Sequence, residues 1–327
     1  MKAVVCTRYG SPDVLQFQDV DKPTPGDHDL LVQVYATTVS SGDYSVRTFS
    51  VPPGLSFPSR LALGFSKPKK SILGMEFAGR VEAIGQQVSL FNVGDQVFGY
   101  SGVGFGAHAE YLSFSETGAV ALKPADISYA EAASIPHGAL AALYFLRDQA
   151  KIKSDDKVLI NGASGAVGVA AVQIAKVFDA QVTAVCGTDN IAFMKSLGAD
   201  EVIDYKREDF IQRDDRYDII FDAVSKRSFA QCQNSLNEKG RYVLTRAGLP
   251  HYIHSLWRML LGGKQIIGGS ATEHKDDLLL IKQWIEEKKL KPVIDCEYSF
   301  EEIVDAHRYV EKGDKTGSVV VKVKSSP

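Results

Sequence analysis

The stretch 157–168, Lys-Val-Leu-Ile-Asn followed by Gly162-Ala-Ser-Gly165-Ala-Val-Gly168, constrains this chain more than any other. An apolar run of strand length enters a glycine turn, and Val169 to Phe178 then continues with helical patterning. That order places backbone N–H groups and a helix N-terminus where a pyrophosphate can sit. Each glycine has its own reason to lack a Cβ. Gly162 turns the chain sharply, Gly165 lets an anion approach the backbone, and Gly168 lets the new helix pack closely on its strand.

The spacing is GxxGxxG, with Ala163 where the commoner GxGxxG has its middle glycine, so the context must carry the reading. Short apolar runs recur at 181–186, 201–204, 218–222, 241–245 and 265–268, separated by segments of helical length. This alternation predicts a doubly wound parallel sheet with right-handed crossovers, and an enzyme that uses a dinucleotide. The chain's 327 residues suffice for two domains of ordinary size. A net charge of −3 gives no electrostatic footprint for nucleic acid, and Lys67-Pro-Lys-Lys70 is too short to change that. No apolar run approaches the roughly 20 residues of a membrane span, and the N-terminus has no signal-peptide layout. A cytoplasmic address is the expectation. The four cysteines are scattered, with no CxxC pair, which argues against a disulfide framework and a cysteine-built zinc site.

The ends of the chain have another texture. Residues 29–39 and 75–84 alternate apolar with polar side chains, as half-buried antiparallel strands do, and prolines and glycines punctuate them. The tail is again a strand, 317–323, after helical patterns at 275–289 and 300–312. We expect a β-rich domain at 1–124, a nucleotide-binding domain at 125–270, and a return to the first domain at 271–327, with a cleft between the two bodies. The segment from Phe49 through Phe65 reads as a flap or a longer surface loop.

Several motifs together resemble the medium-chain dehydrogenase/reductase superfamily, in its zinc-independent quinone oxidoreductase branch. They are Met1-Lys-Ala-Val-Val5, Gly74-Met-Glu-Phe-Ala-Gly79, Gly94-Asp-Gln-Val97, Gly106-Ala-His-Ala-Glu-Tyr111, Ala132-Ala-Ser-Ile-Pro136, the glycine turn, Leu197-Gly-Ala-Asp200 and Lys315-Thr-Gly-Ser-Val-Val320. The resemblance covers essentially the whole chain and implies a GroES-like domain from both chain ends, a Rossmann domain between them, and hydride transfer with a nicotinamide cofactor. Where zinc-dependent relatives carry a cysteine and a histidine ligand, this chain has Ser40 and Met75, although the neighbouring acid persists as Glu76. Neither a serine hydroxyl nor a thioether is a usual zinc ligand, so no metal is expected. Without a Lewis acid, the charge formed on reduction needs another host. A quinone or an α,β-unsaturated carbonyl supplies one, because hydride delivered to carbon spreads its charge onto an oxygen that donors can stabilise.

For the cofactor, Ser164, Gly165, Ala166, Val167 and Gly168 are expected to present the pyrophosphate-binding backbone. By resemblance, Gly187, Thr188 and Tyr205 line a pocket for the 2′-phosphate, while a lysine common in the branch is Ile191 here and Asp189 stands close by. NADPH is expected ahead of NADH. Thr188 can equally be a helix cap. Gly248, Gly268, Gly269 and Ser270 follow strands and are expected to border the nicotinamide. By resemblance, Ser41 stands where the branch has an asparagine, followed by Asp43 and Tyr44. Asp43 is either a capping carboxylate or a catalytic group, and Tyr44 either donates its phenol or walls the pocket. His137 is the histidine to watch, with a structural role the default. The expected partner is a small electron-poor substrate, with a homodimer built, by resemblance, through the strand at 265–270. An enoyl-thioester reductase and a non-catalytic nucleotide-binding protein on the same fold are the rivals.

Overall fold

In the computed structural model, which describes residues 1–248 and 263–324, the chain divides into two compact units. The first comprises 1–51, 56–137 and 273–327, and the second 52–55 and 138–272. Its strands are β1 (Lys2–Cys6), β2 (Leu15–Asp19), β3 (Asp29–Val39), β4 (Glu76–Ile84), β5 (Gln96–Tyr100), β6 (Tyr111–Ser115), β7 (Val120–Leu122), β8 (Lys157–Asn161), β9 (Gln181–Cys186), β10 (Glu201–Asp204), β11 (Tyr217–Asp222), β12 (Leu236–Leu244), β13 (Gln265–Gly268), β14 (Ile294–Ser299) and β15 (Ser318–Lys322). The helices used below are α1 (Ser41–Thr48), α2 (Ser56–Leu63), α3 (Tyr129–Ala133), α4 (Pro136–Leu143) and α5 (Ala166–Val177).

In the second unit, six strands pair in the order β10-β9-β8-β11-β12-β13, every pair parallel. The order reverses at β8, which carries the glycine turn at its carboxyl end, so the turn lies at the switch point of the sheet. Leu159, Val185, Ile220, Tyr242 and Ile266 belong to one core cluster on this sheet. β13, the strand named for the expected dimer, is an edge strand. In the first unit the order is β14-β15-β3-β4-β5-β7, with β6 also on β3, and β15 brings the chain's end back beside β3 in antiparallel register. Its core gathers Leu30, Val32, Val34, Phe77, Val81, Val97 and Val120.

Two boundaries differ from the sequence reading. The first domain break falls between His137 and Gly138, inside α4, rather than at 124/125. The reason is α3, whose capping box of Ser128 and Glu131 starts a short helix that packs on β3, β4, β5 and β15 of the first unit. The second break falls at Thr272/Glu273, close to the expected 270/271. In the segment 49–65, residues 56–63 form the helix α2, with Arg60 stacked on the Phe49 ring at 3.7 Å.

One buried group in the first unit makes a pH prediction. His307 is fully buried, neither ring nitrogen has a hydrogen-bond partner among the described residues, and the His108 ring meets it edge-on at 5.4 Å. Burial, then the neighbouring His108 and Arg47, hold its pKa well below the ordinary value. The folded state therefore keeps this imidazole neutral while the unfolded chain takes up a proton near pH 6.5. Its contribution to stability is complete above that pH and is lost as pH falls through it. We expect His307→Leu to flatten the pH dependence of the unfolding free energy by about 2 kcal/mol between roughly pH 7.5 and pH 5. Urea denaturation of both proteins at the two pH values measures this, and parallel curves refute it.

Candidate active site

The glycine turn in the second unit behaves as its residues require. Gly162 has φ +77, and a Cβ there would lie 2.7 Å from Val224 Cγ1. Gly165 is the N-cap of α5. A Cβ on Gly168 would lie 2.2 Å from the Gly162 carbonyl oxygen, so the helix start rests directly on the turn. The first intrahelical bond runs from Val169 N–H to Gly165 O at 2.9 Å, which leaves the N–H groups of Ala166, Val167 and Gly168 ahead of the helical ladder. Ser164 to Val167 are half-buried, so this cradle is open on one side. A second close approach frames it: a Cβ on Gly138 would lie 2.5 Å from Ala166 O. A pyrophosphate fits this donor-rich, Cβ-free cradle.

At the end of β9, Gly187 begins a short turn in which Asn190 N–H donates to Gly187 O at 2.9 Å. Tyr205 follows β10 and is 61% exposed, and a Cβ on Gly187 would lie 3.3 Å from its hydroxyl and 3.6 Å from Lys206 Cε. Thr188 is no cap; its hydroxyl donates to Asp204 Oδ2 at 2.6 Å. Asp204 also accepts from Lys206 N–H at 3.0 Å and has Arg207 Nε at 3.5 Å. Its pKa is lowered, first by the Thr188 hydroxyl, so it stays ionised. Lys206 Nζ lies 3.6 Å from Asp189. Sequence reasoning passed over Lys206, whose side chain runs beside the Gly187 turn.

Gly248 and Gly268 stand after the carboxyl ends of β12 and at the end of β13. A Cβ on Gly268 would lie 2.6 Å from Ala247 Cβ, and one on Gly248 would lie 2.7 Å from Pro53 O. Gly269 is half-buried and Ser270 exposed beyond them. Asp222, at the end of β11, is buried and accepts from Asn161 Nδ2 at 2.9 Å, Ser225 N–H at 2.9 Å and the Tyr242 hydroxyl at 3.0 Å, which latches the loop after it.

In the first unit, the residues expected around the reacting centre separate. Ser41 is exposed at the start of α1, and its carbonyl accepts from the Ser45 hydroxyl at 2.7 Å. Tyr44 is half-buried, with the Arg47 guanidinium 5.8 Å from its ring centroid. Asp43 is fully buried and its carboxylate is committed: Oδ2 accepts from Ser40 N–H at 2.9 Å and the Ser40 hydroxyl at 2.6 Å, and Oδ1 from Gly74 N–H at 2.9 Å. With Ser40 Oγ accepting from Asp43 N–H, this is a capping box tied across to the strand entry at Gly74.

That tie positions a different group of side chains. A Cβ on Gly42 would lie 3.0 Å from Met75 Sδ, so the bare helix start admits the thioether. The Tyr100 hydroxyl, at the end of β5, stands 3.4 Å from Met75 Sδ and 3.1 Å from His137 Nδ1, with the two rings stacked at 5.5 Å. Glu76 is buried; it accepts from the Thr38 hydroxyl and, at 2.8 Å, from His137 N–H. Burial pushes the Glu76 carboxyl up to about 7, and those two hydrogen bonds oppose the rise. Burial lowers His137 to about 4, so its imidazole is neutral at pH 7. Burial, then the charges of Glu273, Glu76 and Asp43, raises the Tyr100 phenol well above its ordinary value, so it keeps its proton. Lys315, half-buried, is lowered to about 8 by burial. Ser40 and Met75 are thus engaged with Asp43 and Tyr100. Among the described residues, no group of three or more His, Cys, Asp or Glu is placed to hold a metal ion.

The comparisons agree with this architecture. Residues 26–125 match the family model "Alcohol dehydrogenase GroES-like domain" and 197–321 match "Zinc-binding dehydrogenase". A "Quinone-oxidoreductase homolog, chloroplastic" of Spinacia oleracea is 31% identical over 98% of both chains. A "2-methylene-furan-3-one reductase" of Solanum lycopersicum is 32% identical over 98% of this chain and 79% of that one. The solved structure of a quinone oxidoreductase from Coxiella burnetii superposes with a TM-score of 0.86 at 29% identity, covering 99% of each chain. No described helix is long and apolar enough to cross a membrane. A GroES-like unit closed by both chain ends, a doubly wound parallel sheet with a glycine turn at its switch point, and relatives of this identity and coverage agree: the chain is an oxidoreductase of the medium-chain dehydrogenase/reductase superfamily, of its zinc-independent quinone oxidoreductase type.

Proposed function

We propose that the chain is an NADPH-dependent reductase that transfers hydride to a quinone or an α,β-unsaturated carbonyl. The observation that carries this reading is the engagement of Ser40 with the Asp43 carboxylate and of Met75 with the Tyr100 hydroxyl at the two positions where zinc-dependent relatives carry ligands. Such a site suits an acceptor that takes up charge through its own π-system. The printed names of two relatives, a quinone oxidoreductase homolog and a furanone reductase, support the same class. A bound dihydronicotinamide supplies the hydride; the chain's residues hold the pyrophosphate and stabilise the acceptor oxygen. The test is NADPH oxidation against quinones, enones and an enoyl-CoA. Turnover confined to the enoyl-CoA, or none with any acceptor, defeats the reading.

The preference for NADPH rests on Lys206. No carboxylate ends β9, where one would accept from the ribose 2′-OH of NADH and repel a 2′-phosphate. Asp204, on the next strand, is occupied by Thr188 and its own neighbours. Lys206 lies beside Gly187 and takes the part of the lysine that Ile191 replaces, with Asp189 as its resting counter-ion. Lys206→Ala is expected to weaken NADPH binding about tenfold and leave NADH unchanged. Asp189→Asn is expected to tighten NADPH. Fluorescence titration of both nucleotides checks this, and an equal loss for both rejects it.

A further inference from the structure

We infer that the segment 56–70 of the first unit is a docking surface for anionic lipid, with Phe57, Leu61 and Phe65 entering the bilayer interface and Lys67 and Lys70 meeting the headgroups. The reductase reading is not needed for it. Three observations carry it, and the sequence supplies the first. From Tyr44 through Met75 the chain has no Asp or Glu, yet it carries Arg47, Arg60, Lys67, Lys69 and Lys70, in a protein whose net charge is −3. Positive charge is thus gathered into one stretch.

The second observation is which side chains the fold leaves outside. Phe57 is 74% exposed, Leu61 59% and Phe65 63%, and α2 buries none of its eight residues. A spacing of four puts Phe57 and Leu61 one turn apart on one face of α2, and Phe65 continues that spacing just past its end. Single exposed hydrophobics are ordinary, whereas three in one register make an apolar ridge. The third observation is that the ridge is held in shape. Arg60 lies over the Phe49 ring at 3.7 Å and the Tyr9 ring at 4.9 Å and donates to the Phe65 carbonyl, while the Tyr9 hydroxyl donates to Gly64 O at 2.9 Å. After α2 the chain doubles back: Lys69 N–H donates to Leu63 O and Lys69 Nζ to Leu61 O, both at 2.7 Å. Gly64 makes this turn possible, with φ +119 and room for no Cβ, which would lie 2.1 Å from Lys67 O. The exposed Lys67 and Lys70 therefore come back beside the ridge.

Charge decides among the occupants such a ridge could take. A second copy related by a twofold axis would set the two lysine clusters against each other. An anionic bilayer takes both features at once, the apolar side chains at the acyl boundary and the ammonium groups among phosphates and carboxylates, with the lysine stems lying along the apolar surface. A projecting ridge also suits a deformable phase, whereas a protein partner must present a groove of matching shape. The association is peripheral, because no described helix is long and apolar enough to cross a membrane.

The test is cosedimentation of the full chain with vesicles of phosphatidylcholine alone and of phosphatidylcholine with about one third phosphatidylserine. Wild type is expected to bind the anionic vesicles at least about tenfold more tightly than the neutral ones, and to leave them as salt rises toward roughly 0.5 M. Lys67→Gln combined with Lys70→Gln lowers the partition coefficient on anionic vesicles by about tenfold or more. Phe57→Ser combined with Leu61→Ser lowers it by a similar factor, and leaves the thermal melt in place because α2 buries neither side chain. Phe57→Trp adds fluorescence that brominated acyl chains quench, which reports insertion directly. The inference fails if wild type ignores anionic vesicles at low salt, or if only the lysine pair matters, which is adsorption to headgroups without insertion. It fails equally if the serine pair dissolves a dimer of the chain, which gives the ridge to a second copy, or if polyglutamate binds where no vesicle does, which gives it to an acidic protein.

Discussion

Gly168→Ala is expected to weaken binding of the nicotinamide cofactor by at least about 100-fold, because two of the three N–H groups in the first turn of α5 lose their aim and each charge-assisted bond is worth ~1.5–3 kcal/mol. The cause is steric. The added Cβ falls 2.2 Å from Gly162 O and 2.7 Å from both the carbonyl carbon and the Cα of Ala163, all backbone atoms that cannot swing aside. Either the turn opens or the helix start retreats, and each moves the donors. Gly165→Ala is the contrasting variant: its Cβ would meet only Gly162 O, at an ordinary 3.7 Å, so the fold tolerates it. Any loss of binding in Gly165→Ala therefore reports the approach of the ligand to the backbone. Fluorescence titration with NADPH, run beside thermal melts, separates the two. Gly168→Ala binding within threefold of wild type would remove the turn from the cofactor site.

The six parallel strands were legible because each is a short apolar run between segments of helical length, and a buried parallel strand has little else to be. The departures have particular causes. β12 starts at Leu236, several residues before the apolar run at 241, because Leu236 pairs with Tyr217 across a register irregularity that polar Asn237, Glu238 and Lys239 disguise. The first unit runs past residue 124 to His137 because the short helix α3 packs on that unit's strands, a tertiary contact that no local pattern announces. The glycine turn was legible for the reason the strands were: it is local, and its residues are neighbours in sequence.

The polar cluster around Glu76 and Tyr100 was not local. Tyr100 and His137 are 37 residues apart in sequence, and Thr38 and Glu76 are 38 apart, so no spacing announces them. The signal that was present lay in Ser40 and Asp43, a serine three residues before an acid, which is the pattern of a capping box. Read that way, Asp43 is an anchor between the start of α1 and Gly74. Lys206 was hidden for a related reason: it follows β10 in sequence and reaches the turn after β9 only through the pairing of those two strands.

Asp43→Ala tests that assignment and is expected to destabilise the first unit by about 3–5 kcal/mol, since buried donors stripped of their acceptor cost ~1–3 kcal/mol each. The donors are the N–H groups of Ser40 and Gly74 and the Ser40 hydroxyl, which all point at one fully buried carboxylate. Asp43→Asn is the instructive partner. It keeps one acceptor oxygen but turns an amide N–H₂ toward a donor, so it recovers only part of the loss. If Asp43 carried protons in the reaction, Asp43→Asn would keep its stability and lose kcat. If it holds α1 to the entry of β4, the variant loses stability first, and the protein that remains folded at low temperature still binds NADPH. Chemical denaturation with kinetics on the same samples distinguishes the two outcomes. A stable, inactive Asp43→Asn would return this carboxylate to the chemistry and remove its assignment as an anchor.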